Sequence, residues 1–307
     1  MSVKTVGSRL KPVGGAIVFL VAVMIIFVPI VNGYGSNVKQ FWEVQRWSLA
    51  SRVKAVRGQD AIQSTDDFTN IVFLHHSVGE NLIQRGSVRE RFSQAGYEFW
   101  DHGYNFSTGL VRPDGSRTGY SYVIPDDNTD PDGLARVFGQ RVYAAPLNAL
   151  SGLLQHDVIV FKSCFPVSDI RSDESLEEYK ARYLHIRDVV DVHPNKIFIV
   201  VTQPPLNPAM TDPGRAARAR ALANWLTSGE FLDGHSNLFA FDFFDHLAEE
   251  DPAAPDFNML RAAYREDDDS HPNEAANQEI APLFTDFVLN AIETYRSTYA
   301  ESDTQTR

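Results

Sequence analysis

Two short segments at opposite ends of the chain hold the residue types best suited to covalent chemistry. Ser77 stands in His75-His76-Ser77-Val78-Gly79-Glu80-Asn81, and Asp268 and His271 stand in Asp267-Asp268-Asp269-Ser270-His271-Pro272-Asn273. A serine hydroxyl is a weak nucleophile until a base takes its proton. Histidine is the natural base at neutral pH, and a carboxylate fixes its tautomer and stabilises the imidazolium. With Asp268 three residues before His271, a loop can curl that carboxylate back onto the ring. Each segment also has a plainer reading. Serine is a common helix N-cap, and an acidic run is often a solvated loop or a capping turn.

Ligands of open parallel sheets bind beyond the carboxyl ends of the strands, so reactive side chains belong directly after apolar runs. Asn70–Leu74 is such a run and reads as a buried parallel strand, with Ser77 just beyond it at the positive end of a following helix. Further strands are predicted over Tyr97–Trp100, Asp157–Phe161, Lys196–Thr202 and Leu238–Phe243. Helices are predicted over Ser87–Ala95, Leu176–Val190 and Arg215–Leu226, and from a cap at Asn273 to about Thr294. This alternation predicts an α/β domain over residues 69–297, with three layers and a flavodoxin-like parallel sheet of about five strands. Residues 104–150, rich in Gly, Pro, Asp and Asn, predict a long loop insertion, and residues 298–307 a disordered tail.

Taken together, these features resemble the SGNH/GDSL hydrolases. Members of that superfamily carry a serine after the first strand, a glycine after the second, an asparagine after the third, and Asp-x-x-His-Pro before the last helix. Ser77 matches the first block and Asp268-Asp269-Ser270-His271-Pro272 the last. The resemblance spans about residues 69–295 and implies acyl transfer without a cofactor: Ser77 as nucleophile, His271 as base, Asp268 as its orienting partner. The departures are specific. His75-His76-Ser77 stands where relatives have Gly-Asp-Ser, and Lys162-Ser163-Cys164 stands where they have the oxyanion asparagine. Either Gly103 or Gly109 supplies the backbone donor of the second block, and Asn105 or Ser163 is the expected substitute for the missing amide. A transferase using the same triad, or a non-catalytic binding module on the same scaffold, are the alternatives to a hydrolase.

Other candidates have bland readings. Lys162 is expected as a solvent charge at a strand end, and Cys164 as an inert core thiol. His75 and His76 can bind a metal with Asp101 or His102, but strand-end histidines more often hydrogen-bond within a pocket. Glu174, Glu177 and Glu178 read as the solvated start of a helix. No metal ligand set is assigned.

The bulk numbers narrow the partners. The chain has 307 residues, 43% hydrophobic and 22% charged, an ordinary globular composition. Residues 1–57 hold eight Lys or Arg and one Glu, a balance of +7, which leaves −19 for the rest of a chain whose net charge is −12. So acidic a body repels phosphate backbones, which argues against nucleic acid as a partner. Neutral small-molecule or glycan esters meet no such barrier. With one cysteine, no intrachain disulfide is possible. Lys4, Arg9 and Lys11 precede the uncharged run Val13–Val31, long enough to cross a hydrocarbon core. Residues 1–12 are therefore expected as a basic cytoplasmic tail and 13–33 as a transmembrane anchor, with a cleaved signal as its rival. Residues 34–68 are expected as a juxtamembrane connector, either an interfacial helix or a stalk packed on the domain. This places the body outside the membrane as a single-pass protein.

Overall fold

A computed structural model describes residues 38–64, 67–125 and 130–305. The expected basic tail and anchor, residues 1–33, lie outside the described residues. Among the described residues no helix is long and apolar enough to cross a membrane.

The chain divides into two units, Met1–Ala50 and Ser51–Arg307. The described part of the first is the opening of helix α1 (Val38–Arg57). The second unit begins well before the predicted boundary at residue 69. Ser51 and Ala55 are buried, and Ser51 Oγ donates to the Ser121 carbonyl at 2.9 Å. The end of the supposed connector thus belongs to the domain.

Six strands form one sheet: β1 (Asn70–Leu74), β2 (Glu98–His102), β3 (Leu110–Val111), β4 (Val158–Lys162), β5 (Ile197–Val201) and β6 (Leu238–Phe241), ordered β3-β2-β1-β4-β5-β6. The five predicted strands are all present and all run parallel. The sixth, β3, pairs antiparallel with β2 and is only two residues long. So short a segment carries no periodicity to read. The order reverses between β1 and β4, and that switch point is where doubly wound sheets open a crevice at their carboxyl ends.

The remaining α-helices among the described residues are α2 (Ser77–Arg85), α3 (Val88–Gln94), α4 (Pro131–Phe138), α5 (Ala149–Leu153), α6 (Asp173–Asp191), α7 (Pro213–Leu226), α8 (Gly229–Leu232), α9 (Phe243–Leu247) and α10 (Glu274–Gln305). Strand side chains alternate between two cores, as the pleat demands. Ile71, Phe73, Val158, Val160, Ile197 and Ile199 join Leu82, Phe92 and Phe284 of α2, α3 and α10. Val72, Leu74, Ile159, Phe161, Phe198 and Val200 join Phe138, Tyr183 and Leu222 of α4, α6 and α7. Burial on both sides explains why the central strands read as unbroken apolar runs.

Two expectations need correction. Residues 104–150 contain β3, α4 and α5, so this stretch is not a plain loop. Helix α10 passes the expected end at Thr294, and the segment assigned to a disordered tail is helical through Gln305.

Candidate active site

Strand β1 delivers the chain to the carboxyl edge of the sheet, where His76 takes an extended conformation (φ −123°, ψ −158°) and α2 begins at Ser77. The Glu80 N–H, bonded to the His76 carbonyl at 2.9 Å, makes the first intrahelical bond. The Ser77 N–H therefore lies among the helix-start donors that have no partner within α2. This is the anion-favouring end of a helix dipole.

His271 reaches the same point from the other end of the chain. Its Nε2 lies 2.8 Å from Ser77 Oγ. Its Nδ1 faces both carboxylate oxygens of Asp269, at 2.9 and 2.8 Å. A carboxylate only accepts, so Nδ1 carries the ring proton and Nε2 is left to accept from the serine. Phe165, just beyond β4, stands edge-to-face against the imidazole with ring centroids 5.0 Å apart.

The partner of His271 is thus Asp269 and not Asp268. Glu266 and Asp269 pair across a tight turn, with Asp267 in the left-handed region at φ 56°. Asp267 and Asp268 occupy the tip; Asp268 and Asp269 are both exposed, but only Asp269, paired with Glu266, carries its carboxylate to the ring. Asn207, which follows β5, holds this turn: its Nδ2 donates to the Asp267 and Asp269 carbonyls, both at 3.1 Å, and its N–H donates to Ser270 Oγ at 3.0 Å. Asn273 Oδ1 accepts the Ala276 N–H at 3.0 Å and so caps α10 as expected. Partial burial works to raise the Asp269 pKa, but the hydrogen bond and charge of His271 outweigh it and hold the carboxyl below its ordinary range.

Three of the four expected oxyanion donors, Gly103, Gly109 and Asn105, are spent elsewhere, and the fourth, Ser163, is enclosed beside Tyr183. The Gly103 N–H donates to the Gly109 carbonyl at 3.2 Å, and the Gly109 N–H to the Tyr104 carbonyl at 2.7 Å. Asn105 Nδ2 donates to the Ile124 carbonyl at 2.8 Å, while its Oδ1 accepts from Ser121 Oγ at 2.6 Å. Ser163 is fully buried, and its hydroxyl accepts from Tyr183 at 2.8 Å. Gly103, Gly109 and Asn105 close the 103–109 turn and pin the 121–124 segment, which consumes their donors.

Lys162 is also misplaced by sequence reasoning. It is fully buried, with Nζ donating to the Ser163 carbonyl at 2.7 Å. Burial lowers its pKa, and Cys164 partly offsets that. Cys164 itself is a buried unpaired thiol, as expected. Glu174, Glu177 and Glu178 are exposed, and Ser172 Oγ caps their helix by accepting the Ser175 N–H at 3.2 Å.

The histidines beside Ser77 are tied up in hydrogen bonds and stacking. His75 Nδ1 faces the His76 carbonyl at 2.8 Å, and its Nε2 faces Asp101 Oδ2 at 3.1 Å. Arg89 Nη2 binds the other Asp101 oxygen. His76 stacks on Tyr104 with centroids 4.2 Å apart. Burial, then the Lys162, His75 and His102 charges, push its pKa down to about 3. His102 donates from Nδ1 to the Gly103 carbonyl at 2.8 Å and accepts the Tyr122 N–H on Nε2 at 3.1 Å, with burial pushing it down to about 4. Among the described residues no group of three or more His, Cys, Asp or Glu converges as a metal site. One signal for the His75–Asp101 contact was legible. Phe73 pairs with Asp101 in the parallel register, and His75, two residues on, shares that face.

No protein-family model matches the chain, and no curated protein is significantly similar to it.

Proposed function

We propose that this chain is a serine hydrolase of the SGNH/GDSL type that cleaves carboxylic esters through an acyl-serine intermediate. One observation carries the reading. Residues 194 positions apart meet as Ser77 Oγ and His271 Nε2 at 2.8 Å, with Asp269 on the opposite ring nitrogen. In the proposed cycle, Ser77 Oγ attacks the ester carbonyl carbon while His271 Nε2 takes its proton. His271 then protonates the departing alcohol, and water, deprotonated by the same nitrogen, releases the acid. Asp269 keeps the Nδ1 proton in place and stabilises the imidazolium. The oxyanion forms against the Ser77 N–H at the positive end of α2.

The acidic body favours neutral substrates, such as acylated glycans or simple lipid esters. The uncharged Val13–Val31 run behind basic residues favours an anchored enzyme on the non-cytoplasmic side of a membrane.

A fluorophosphonate probe tests the chemistry. Ser77 should be labelled in the wild-type chain, and Ser77→Ala should abolish labelling and ester hydrolysis together. Hydrolysis that survives Ser77→Ala removes the assignment. Retention of the full chain in membranes after an alkaline wash tests the anchor, and recovery of a shortened soluble form would refute it.

A further inference from the structure

We propose that His75 is a positioning residue for Ser77: a buried imidazolium, strung between Asp101 and the carbonyl that opens α2, which holds the serine against His271. The inference deepens the hydrolase reading and rests on it for its kinetic consequence only.

The geometry fixes the protonation state. Nδ1 meets a backbone carbonyl, which can only accept. Nε2 meets Asp101 Oδ2, and the other oxygen of that carboxylate is occupied by Arg89. Burial works to raise the Asp101 pKa, but the His75 and Arg89 contacts outweigh it, and the guanidinium on the other oxygen by itself disfavours a protonated Asp101 that would donate to a neutral ring. Both ring nitrogens of His75 therefore donate. Arg89, Asp101 and His75 form a buried line of charge that nets one positive unit. His76 at the cap of α2, His102 on β2 and Lys162 on β4 are the neighbouring groups, and the first two are held neutral. The Arg89–Asp101 pair also borders a cavity of about 400 Å³ that Glu80, Glu90 and Arg117 help to line.

The placement gives the device its purpose. The carbonyl held by His75 is the same one that accepts the Glu80 N–H, the first hydrogen bond of α2. Ser77 is the next residue. Fixing that carbonyl fixes the direction of the helix start, and hence the 2.8 Å approach of Ser77 to His271. Gly79 is matched to the arrangement, because a Cβ there would lie 2.4 Å from His75 Cβ. The charge also adds positive potential behind the Ser77 N–H, where the expected asparagine donor is missing.

The experiment is long-range proton–nitrogen NMR of the histidine rings in the full chain, beside the rate of fluorophosphonate labelling. Assignment of the wild-type rings through their own backbone resonances identifies the His75 signal without recourse to a variant. Near neutral pH that ring should show two protonated nitrogens in the wild type, and Asp101→Asn should convert it to a neutral tautomer. His75→Asn should slow Ser77 labelling by roughly 10²-fold, the scale expected when a reacting group is misplaced by about 1 Å. It should also shift the His271 Nε2 signal as the serine contact loosens, while the cooperative melt is retained. A neutral His75 ring in the wild type overturns the proposal, even if the variants do not fold. So does wild-type labelling by His75→Asn. If the wild type is not labelled at all, the hydrolase reading fails instead. The ring spectra of His75 and His271 then still decide the charge and the positioning.

Discussion

Asp268 and Asp269 are neighbours in a turn, and one position decides which can serve His271. Asp269 is bridged to Glu266 across the turn and places both oxygens on Nδ1. Asp268 sits at the tip. Replacing Asp269 by Asn leaves the shape but lets an amide oppose the ring, so the tautomer with a proton on Nε2 competes. Asp269→Asn should lower kcat by roughly 10²–10⁴ with little change in KM. Asp268→Asn should leave both constants at wild-type values. The opposite ranking in steady-state kinetics would return the role to Asp268.

At the scale of elements, the site depends on how closely α2 lies to its neighbours. Gly79 brings the first turn against His75, and Gly86 lets the end of α2 meet α10, where an added Cβ would lie 2.4 Å from Ala281 Cβ and 2.7 Å from the Asn277 carbonyl oxygen. Gly79→Ala should force β1 and α2 apart and cost about 1–3 kcal/mol of stability, the usual range for overpacking. It should also slow Ser77 labelling, whereas an overpacked site remote from Ser77 would lose stability alone. Thermal melts beside labelling rates separate the two cases. A variant as stable and as reactive as the wild type would show that the elbow tolerates the displacement. The loop bearing His271 is braced independently, by Asn207 on one side and by Asn273 through the Tyr264 carbonyl on the other, at 2.9 Å from the Asn273 N–H.

Over the whole molecule, buried neutral histidines govern the response to acid. His76 and His102 are pushed down to about 3 and about 4 from an ordinary 6.5, in both cases first by burial. His156 is lowered in the same direction by burial and by Lys196. The unfolded chain therefore takes up protons that the folded chain refuses, and stability rises with pH across that interval. Their contribution is complete above the unfolded value of 6.5 and is lost as the pH falls toward 4 and then 3. Asp101 and Asp269, held below their ordinary range, add a loss of the same sign at lower pH, while the raised Asp242 opposes it. Melting temperatures should decline steadily from about pH 7 to about pH 4, and His76→Gln should flatten part of that slope. A flat profile for the wild type would mean that these rings charge without disturbing the fold.

Much of the fold and of the site is legible in the sequence. The parallel strands announced themselves because both faces of the sheet are covered, which leaves Asn70–Leu74 and Ile197–Val201 apolar along nearly their whole length. Ser77 and His271 were readable because polar residues directly after buried strands, and directly before a capped helix, must lie at the carboxyl edge. Tertiary structure alone decided the rest. Asp269 displaced Asp268 because it is the residue bridged to Glu266 across the turn, where its carboxylate meets Nδ1, while Asp268 occupies the tip. Gly103, Gly109 and Asn105 lost their expected role because a donor's availability depends on which acceptors fold around it, and Ser163 is enclosed as the acceptor of the Tyr183 hydroxyl. The burial of Lys162 and the hydrogen bonds of His75 to Asp101 and the His76 carbonyl followed the same rule. Sequence orders residues along a line, but protonation and hydrogen bonding are set by neighbours in space.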